Sequence, residues 1–267
     1  MAQHLFFDPR GDAPPLFFLH IPKTAGSSNN QFLRSLYGQS NFKDHIENDL
    51  PRLSAGQGPP LTQDCLSGHV PLWAWHLYQG SAPYRRVTLL RDPWHRLVSH
   101  VNWVNQFNLG MRLPKHGPGA GDLAQMVDLI AKTDFSKRSD LQRIFETANA
   151  LPYFSSFDNY QTRMLRIGAM DAMEKPLTPK DLDIACDALT GFFHFGFCED
   201  QPRFQAGLIA KLQLDTHPTP ITANAARHKV LSVKNDLARS IFAPWLEFDQ
   251  ALTGFAKGLS YVTKSAA

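Results

Sequence analysis

Apolar positions along the chain fall into two kinds of run. Short unbroken stretches predict strands buried on both faces, the habit of a parallel sheet. The first is Leu16-Phe17-Phe18-Leu19-His20-Ile21, closed by Pro22; the second is Val87-Thr88-Leu89-Leu90; the third is Phe192 to Cys198, crowded with phenylalanine. Elsewhere apolar residues recur at three- and four-residue spacing and predict amphipathic helices. Phe32, Leu33 and Leu36 mark one. A second runs from Trp94 to about Asn105, with Asp92 as its cap and Pro93 in its first turn. Leu123, Met126, Val127 and Ile130 mark another, Leu182, Cys186 and Leu189 one opened by Thr178-Pro179, and Phe204, Leu208 and Leu212 a further one. Buried strands alternating with helices predict an α/β, P-loop-like three-layer fold, with a central mainly parallel sheet and helices on both faces. No composition break divides it, so residues 1–267 read as one domain.

Glycine and proline interrupt the pattern at Pro51 to Pro60 and at Leu109 to Gly121. Both read as loops. The second is long for a connector, which suits a binding loop or lid and equally a surface insertion. No internal repeat appears, which argues against solenoids and propellers.

Lys and Arg number 27 against 24 Asp and Glu, a net charge of +3 that is too small for a broad nucleic-acid footprint. With 43% apolar residues the chain can fill a core. No apolar stretch reaches membrane-spanning length. Three scattered cysteines (Cys65, Cys186, Cys198) form neither a disulfide framework nor a zinc site, and point to a reducing compartment. A soluble, intracellular protein is expected.

The most informative chemistry lies in His20-Ile21-Pro22-Lys23-Thr24-Ala25-Gly26-Ser27-Ser28. Strand, small-residue loop and helix form an anion-binding turn, in which backbone N–H groups and the helix dipole face one point. Lys23 adds a cation; Thr24, Ser27 and Ser28 add hydroxyls. It is not a Walker A loop, because Gly26 follows the lysine. An ordinary tight turn is the alternative reading. Arg91 leaves the carboxyl end of a buried strand, and Arg96 and Ser99 share a helix face behind it. An Arg fork with a serine hydroxyl suits a phosphate monoester; pairing of Arg91 with a carboxylate is the plain alternative. Asn159, Gln161 and Arg163 read as a functional helix or a solvated polar face. Trp73, Trp75, Trp94 and Trp103 suit sugar stacking, with core packing expected for at least two.

Read together, these segments resemble the carbohydrate sulfotransferases, a group that includes the heparan sulfate 2-O- and 6-O-enzymes. The Lys23 loop is similar to their phosphosulfate-binding loop, and Leu89 to Ser99 to their 3′-phosphate motif. Ser67-Gly68-His69-Val70 is similar to the segment of the catalytic histidine. Asn159 to Leu165 resembles a characteristic helix, and Phe195-Gly196-Phe197-Cys198-Glu199 a later strand with its acidic residue. The likeness spans roughly residues 15 to 260, in family order.

The resemblance implies an enzyme that moves a sulfuryl group from 3′-phosphoadenosine 5′-phosphosulfate to an acceptor hydroxyl, most naturally of a glycan, releasing adenosine 3′,5′-bisphosphate. Lys23, Thr24, Ala25, Gly26, Ser27 and Ser28 would hold the 5′-phosphosulfate, and Arg91 and Ser99 the 3′-phosphate, with Arg96 as ligand or buttress. Arg227 and Lys229 fall where the family has a basic segment over the nucleotide. Lys23 would stabilise the leaving group and His69 would take the acceptor's proton. The 2-O-enzymes carry a second histidine where this chain has Ser67, which leaves His20 as the reserve base. No metal, nucleic acid or membrane span is expected, and the native-looking Met1 without an anchor reads as a cytoplasmic, bacterial-type member. The rival classes are a P-loop kinase or ATPase, which needs a Walker A loop, and a nucleotide- or glycan-binding protein without activity.

Overall fold

The computed structural model describes residues 13–113, 120–151, 155–166, 176–217 and 228–265. In chain order its elements are β1 (Leu16–Leu19), α1 (Gly26–Tyr37), β2 (Phe42–Lys43), α2 (Leu50–Ser54), β3 (Cys65–Gly68), α3 (Leu72–Leu77), β4 (Arg85–Leu90), α4 (Pro93–Asn105), α5 (Ala120–Ala131), α6 (Arg138–Ala150), α7 (Tyr160–Leu165), α8 (Pro179–Thr190), β5 (His194–Phe197), α9 (Gln201–Leu212), α10 (Asp236–Ile241) and α11 (Glu247–Ser265). Two compact units divide the chain. One holds Met1–Leu90 and Leu189–Ala223, the other Arg91–Ala188 and Asn224–Ala267.

The first unit carries a five-stranded, all-parallel sheet in the order β2-β3-β1-β4-β5. This is the expected three-layer α/β fold. Strand residues alternate between faces. Leu16 and Phe18, with Cys65, Val87 and Leu89, pack on Phe32, Leu33 and Leu36 of α1 and on Phe204 and Leu208 of α9. On the alternate position Phe17 stacks on Trp75 of α3, ring centroids 3.8 Å apart. Every residue of β1 is wholly buried, which is why its apolar run has no polar interruption.

Two expectations need correction. The Phe192 to Cys198 strand shortens to β5 and is half-buried, because it lies at the sheet edge with one neighbour. Part of the Pro51 to Pro60 loop is helical: α2 places Pro51 in its first turn, where a missing N–H costs nothing. In the second stretch a 3₁₀ turn ends at Leu109 and α5 begins at Ala120, while residues 114–119 lie outside the described ones.

The second unit is helical. α4, α5, α6 and α10 enclose Leu97, Val101, Val127, Ile130, Leu141 and Ile144, closed by Phe242 and Trp245. Trp94 is buried here and donates its Nε1–H to the Val233 carbonyl at 2.7 Å. Trp75 and Trp94 are therefore core residues. Among the described residues no helix is long and apolar enough to cross a membrane.

Candidate functional site

β1 lies mid-sheet between β3 and β4, with later strands added on both sides. Open α/β sheets gather ligands outside strand carboxyl ends at such a point. There the chain turns sharply. The Thr24 N–H and its Oγ1 both donate to the Ile21 carbonyl, at 3.3 and 2.8 Å, so the buried Thr24 hydroxyl closes the turn. Lys23 and Ala25 adopt left-handed φ angles of 72° and 66°, which cost non-glycine residues on the order of 1–3 kcal/mol each. No side chain caps the first turn of α1, so its leading N–H groups face outward from the helix start. Ser27 is exposed. The Ser28 hydroxyl is buried and without a hydrogen-bond partner among the described residues.

Gly26 has a specific steric reason. A Cβ there would sit 1.6 Å from His20 Nε2, so the histidine ring covers the position. His20 also stacks on Phe18, nearly parallel, and is almost fully enclosed. Burial, then the charges of His69, His45 and Lys23, hold its pKa well below the usual histidine range. His20 is thus a neutral packing residue of the loop.

His69 lies in the short connection that follows β3 directly. Its backbone N–H donates to Glu47 Oε2 at 3.0 Å, and its Nδ1 lies 2.7 Å from the His20 carbonyl. A carbonyl only accepts, so Nδ1 carries the proton and Nε2 keeps the lone pair. Burial lowers the His69 pKa; the bond to the His20 carbonyl and the nearby Glu47 oppose it, and His45 and Lys23 add to the lowering. The His20 and His69 rings are 4.2 Å apart and His45 is 6.1 Å from His69. Glu47 Oε1 lies 2.9 Å from His45 Nδ1. Sequence reasoning missed His45 and Glu47, which sit in and beside a single 3₁₀ turn with no periodic pattern. Among the described residues no group of three or more His, Cys, Asp or Glu is arranged to hold a metal ion.

Ser67 lies in β3, fully buried, and its hydroxyl donates to Asn30 Oδ1 of α1 at 2.6 Å.

The remaining candidates belong to the second unit. Arg91 follows the last residue of β4 and is half-buried, and Asp92 caps α4 by accepting from the His95 N–H at 2.9 Å. Ser99 is half-buried on α4. Arg96 is 1% exposed, donates to the Ser156 carbonyl at 2.9 Å and lies over the Tyr160 ring. Asn159, Gln161 and Arg163 are buried, which overturns the solvated-face reading. Lys229 is exposed, and Arg227 lies outside the described residues. The structure thus brings together Lys23, Gly26, Ser27, Ser28, His20 and His69 in the first unit; Arg91 and Ser99 are placed by α4 and its cap in the second.

Comparison with protein-family models finds no match, and no curated protein matches the chain.

Proposed function

We propose that this chain is a sulfotransferase that uses 3′-phosphoadenosine 5′-phosphosulfate and sulfates a hydroxyl, most naturally of a glycan. The observation that carries the reading is the Lys23–Ser28 turn, whose uncapped helix start and orphaned Ser28 hydroxyl suit an anion, set within electrostatic reach of a neutral His69. An unsatisfied buried hydroxyl is what an anionic ligand at the helix start would complete.

The bound donor supplies the sulfuryl group and leaves as adenosine 3′,5′-bisphosphate. The N–H groups at the start of α1 and the Lys23 ammonium bind the 5′-phosphosulfate and offset the charge that grows on the departing phosphate oxygen. His69 Nε2 accepts the proton of the acceptor hydroxyl as its oxygen bonds to sulfur. The His20 carbonyl accepts from Nδ1–H and holds that imidazole in one tautomer, while Glu47 accepts from the His69 backbone N–H and fixes the main chain there. Arg91 and Ser99 are assigned to the 3′-phosphate, and Lys229, with Arg227, to the basic cover of the nucleotide; these four roles rest on the resemblance.

Transfer of labelled sulfate from the donor to a panel of hydroxyl-bearing oligosaccharides tests this reading. Label in the glycan, lost in Lys23→Ala, is the expected result. Nucleotide binding without transfer to any acceptor would make the chain a binding protein, and phosphoryl transfer from ATP would make it a kinase.

A further inference from the structure

The Asn159 to Leu165 segment has so far no part in the chemistry. We propose that Gln161 is the positioning residue that fixes Arg91 for the 3′-phosphate, an inference that rests on the function proposed above. The paired register of β4 ends at Leu90. Beyond it the Arg91 main chain still needs a donor and an acceptor. One side chain provides both: Gln161 Oε1 accepts from the Arg91 N–H at 2.8 Å, and Gln161 Nε2 donates to the Arg91 carbonyl at 2.9 Å. The two peptide groups flanking the Arg91 Cα are thereby held, and Asp92 fixes the next step by capping α4. Among helix-compatible side chains a carboxamide alone offers a donor and an acceptor side by side.

Gln161 is itself immobilised. It is fully buried. The Asp249 carboxylate accepts from the N–H groups of Gln161 and Thr162, at 3.1 and 2.8 Å, and from the Thr162 hydroxyl at 2.9 Å. Asn159 Oδ1 accepts from the N–H groups of Phe248 and Asp249, at 2.8 and 3.1 Å. α11 therefore anchors α7, and α7 holds Arg91. A guanidinium fork recognises phosphate only when its stem leaves the backbone in a set direction, and Gln161 sets it.

Calorimetry on the full chain tests this with two nucleotides, adenosine 3′,5′-bisphosphate and adenosine 5′-phosphosulfate, which lacks the 3′-phosphate. The proteins are wild type, Arg91→Ala, Gln161→Met, which removes both bonds at similar volume, and Gln161→Glu, which keeps the acceptor but loses the donor. Melting curves report folding. Gln161→Met should weaken the bisphosphate by about tenfold or more and the 5′-phosphosulfate by less than about threefold, following Arg91→Ala in kind. If Gln161→Met does not fold, Gln161→Glu carries the comparison with the same expectation. Folded Gln161 variants that bind both nucleotides normally, or lose both equally, would overturn the inference while leaving the function standing. Failure of both variants to fold would assign Gln161 to stability alone and overturn it too. Wild type binding neither nucleotide would remove the function and the inference together.

Discussion

His69 is defined by what its two neighbours accept. The His20 carbonyl takes the Nδ1 proton and Glu47 takes the backbone N–H, so Nε2 is the one atom left to receive a proton. Burial lowers the pKa of the imidazole, and the sign follows: activity that needs neutral His69 is full at neutral pH and is lost only as pH falls through a value below the ordinary histidine range. The acidic limb of the kcat profile should lie there. His69→Ala should remove that limb and lower kcat by roughly 10²–10⁴-fold, with donor affinity almost unchanged. Retained turnover in His69→Ala, with loss in His20→Ala, would move the base to His20. In the proposed reaction Lys23 acts by charge at the same place. Lys23→Ala should lower kcat by at least about 10²-fold, by analogy with loss of one oxyanion-hole donor, while bisphosphate affinity falls less. Near-normal kcat would end the assignment.

At the scale of elements, β3 and α1 fix the surroundings of Ser67. The residue faces α1 from within the sheet, wholly buried, with Asn30 as its partner and Phe18 beside it in register on β1. Ser67 and Asn30 are both buried, so a larger side chain at position 67 would press on α1. Ser67→His should cost about 1–3 kcal/mol of stability through overpacking, seen as a lower urea midpoint at unchanged slope. It should not raise turnover. Full stability in this variant would show that β3 and α1 are looser than the packing implies. The Lys23 loop belongs to the same assembly, since Gly26 opens α1 and its missing Cβ admits the His20 ring.

For the whole molecule, buried histidines tie folding to pH. His20 and His69 are held below their ordinary pKa, chiefly by burial, and His194 is lowered to about 4 for the same reason. The unfolded chain takes up protons in the ordinary histidine range, whereas the fold resists until the depressed values are reached. Stability should therefore be full above that range and fall as pH drops through it. Urea midpoints at about pH 7 and about pH 5 should show the decline, the ordinary histidine pKa lying between them. His194→Gln should flatten it; an unchanged slope would exclude His194 as a contributor. What the residue order alone determined is local. Continuous apolar runs announced β1 and β4 because a strand buried on both faces admits a polar residue only where a partner satisfies it, as the Leu19 carbonyl does for the Thr88 hydroxyl, and Asp92-Pro93 announced α4 because a cap acts within one turn. The Lys23–Ser28 loop was legible for the same reason. β3 was not, since Ser67 and Gly68 break its apolar run, and β2 is two residues long. The joining of Gln161 to Arg91 across 70 positions, of Asp249 to Thr162 across 87, and of Glu47 to His69 across 22 was decided only by the tertiary structure. A side chain's pattern reports whether it is buried, but which group stands opposite it depends on how distant elements pack, and no local spacing records that.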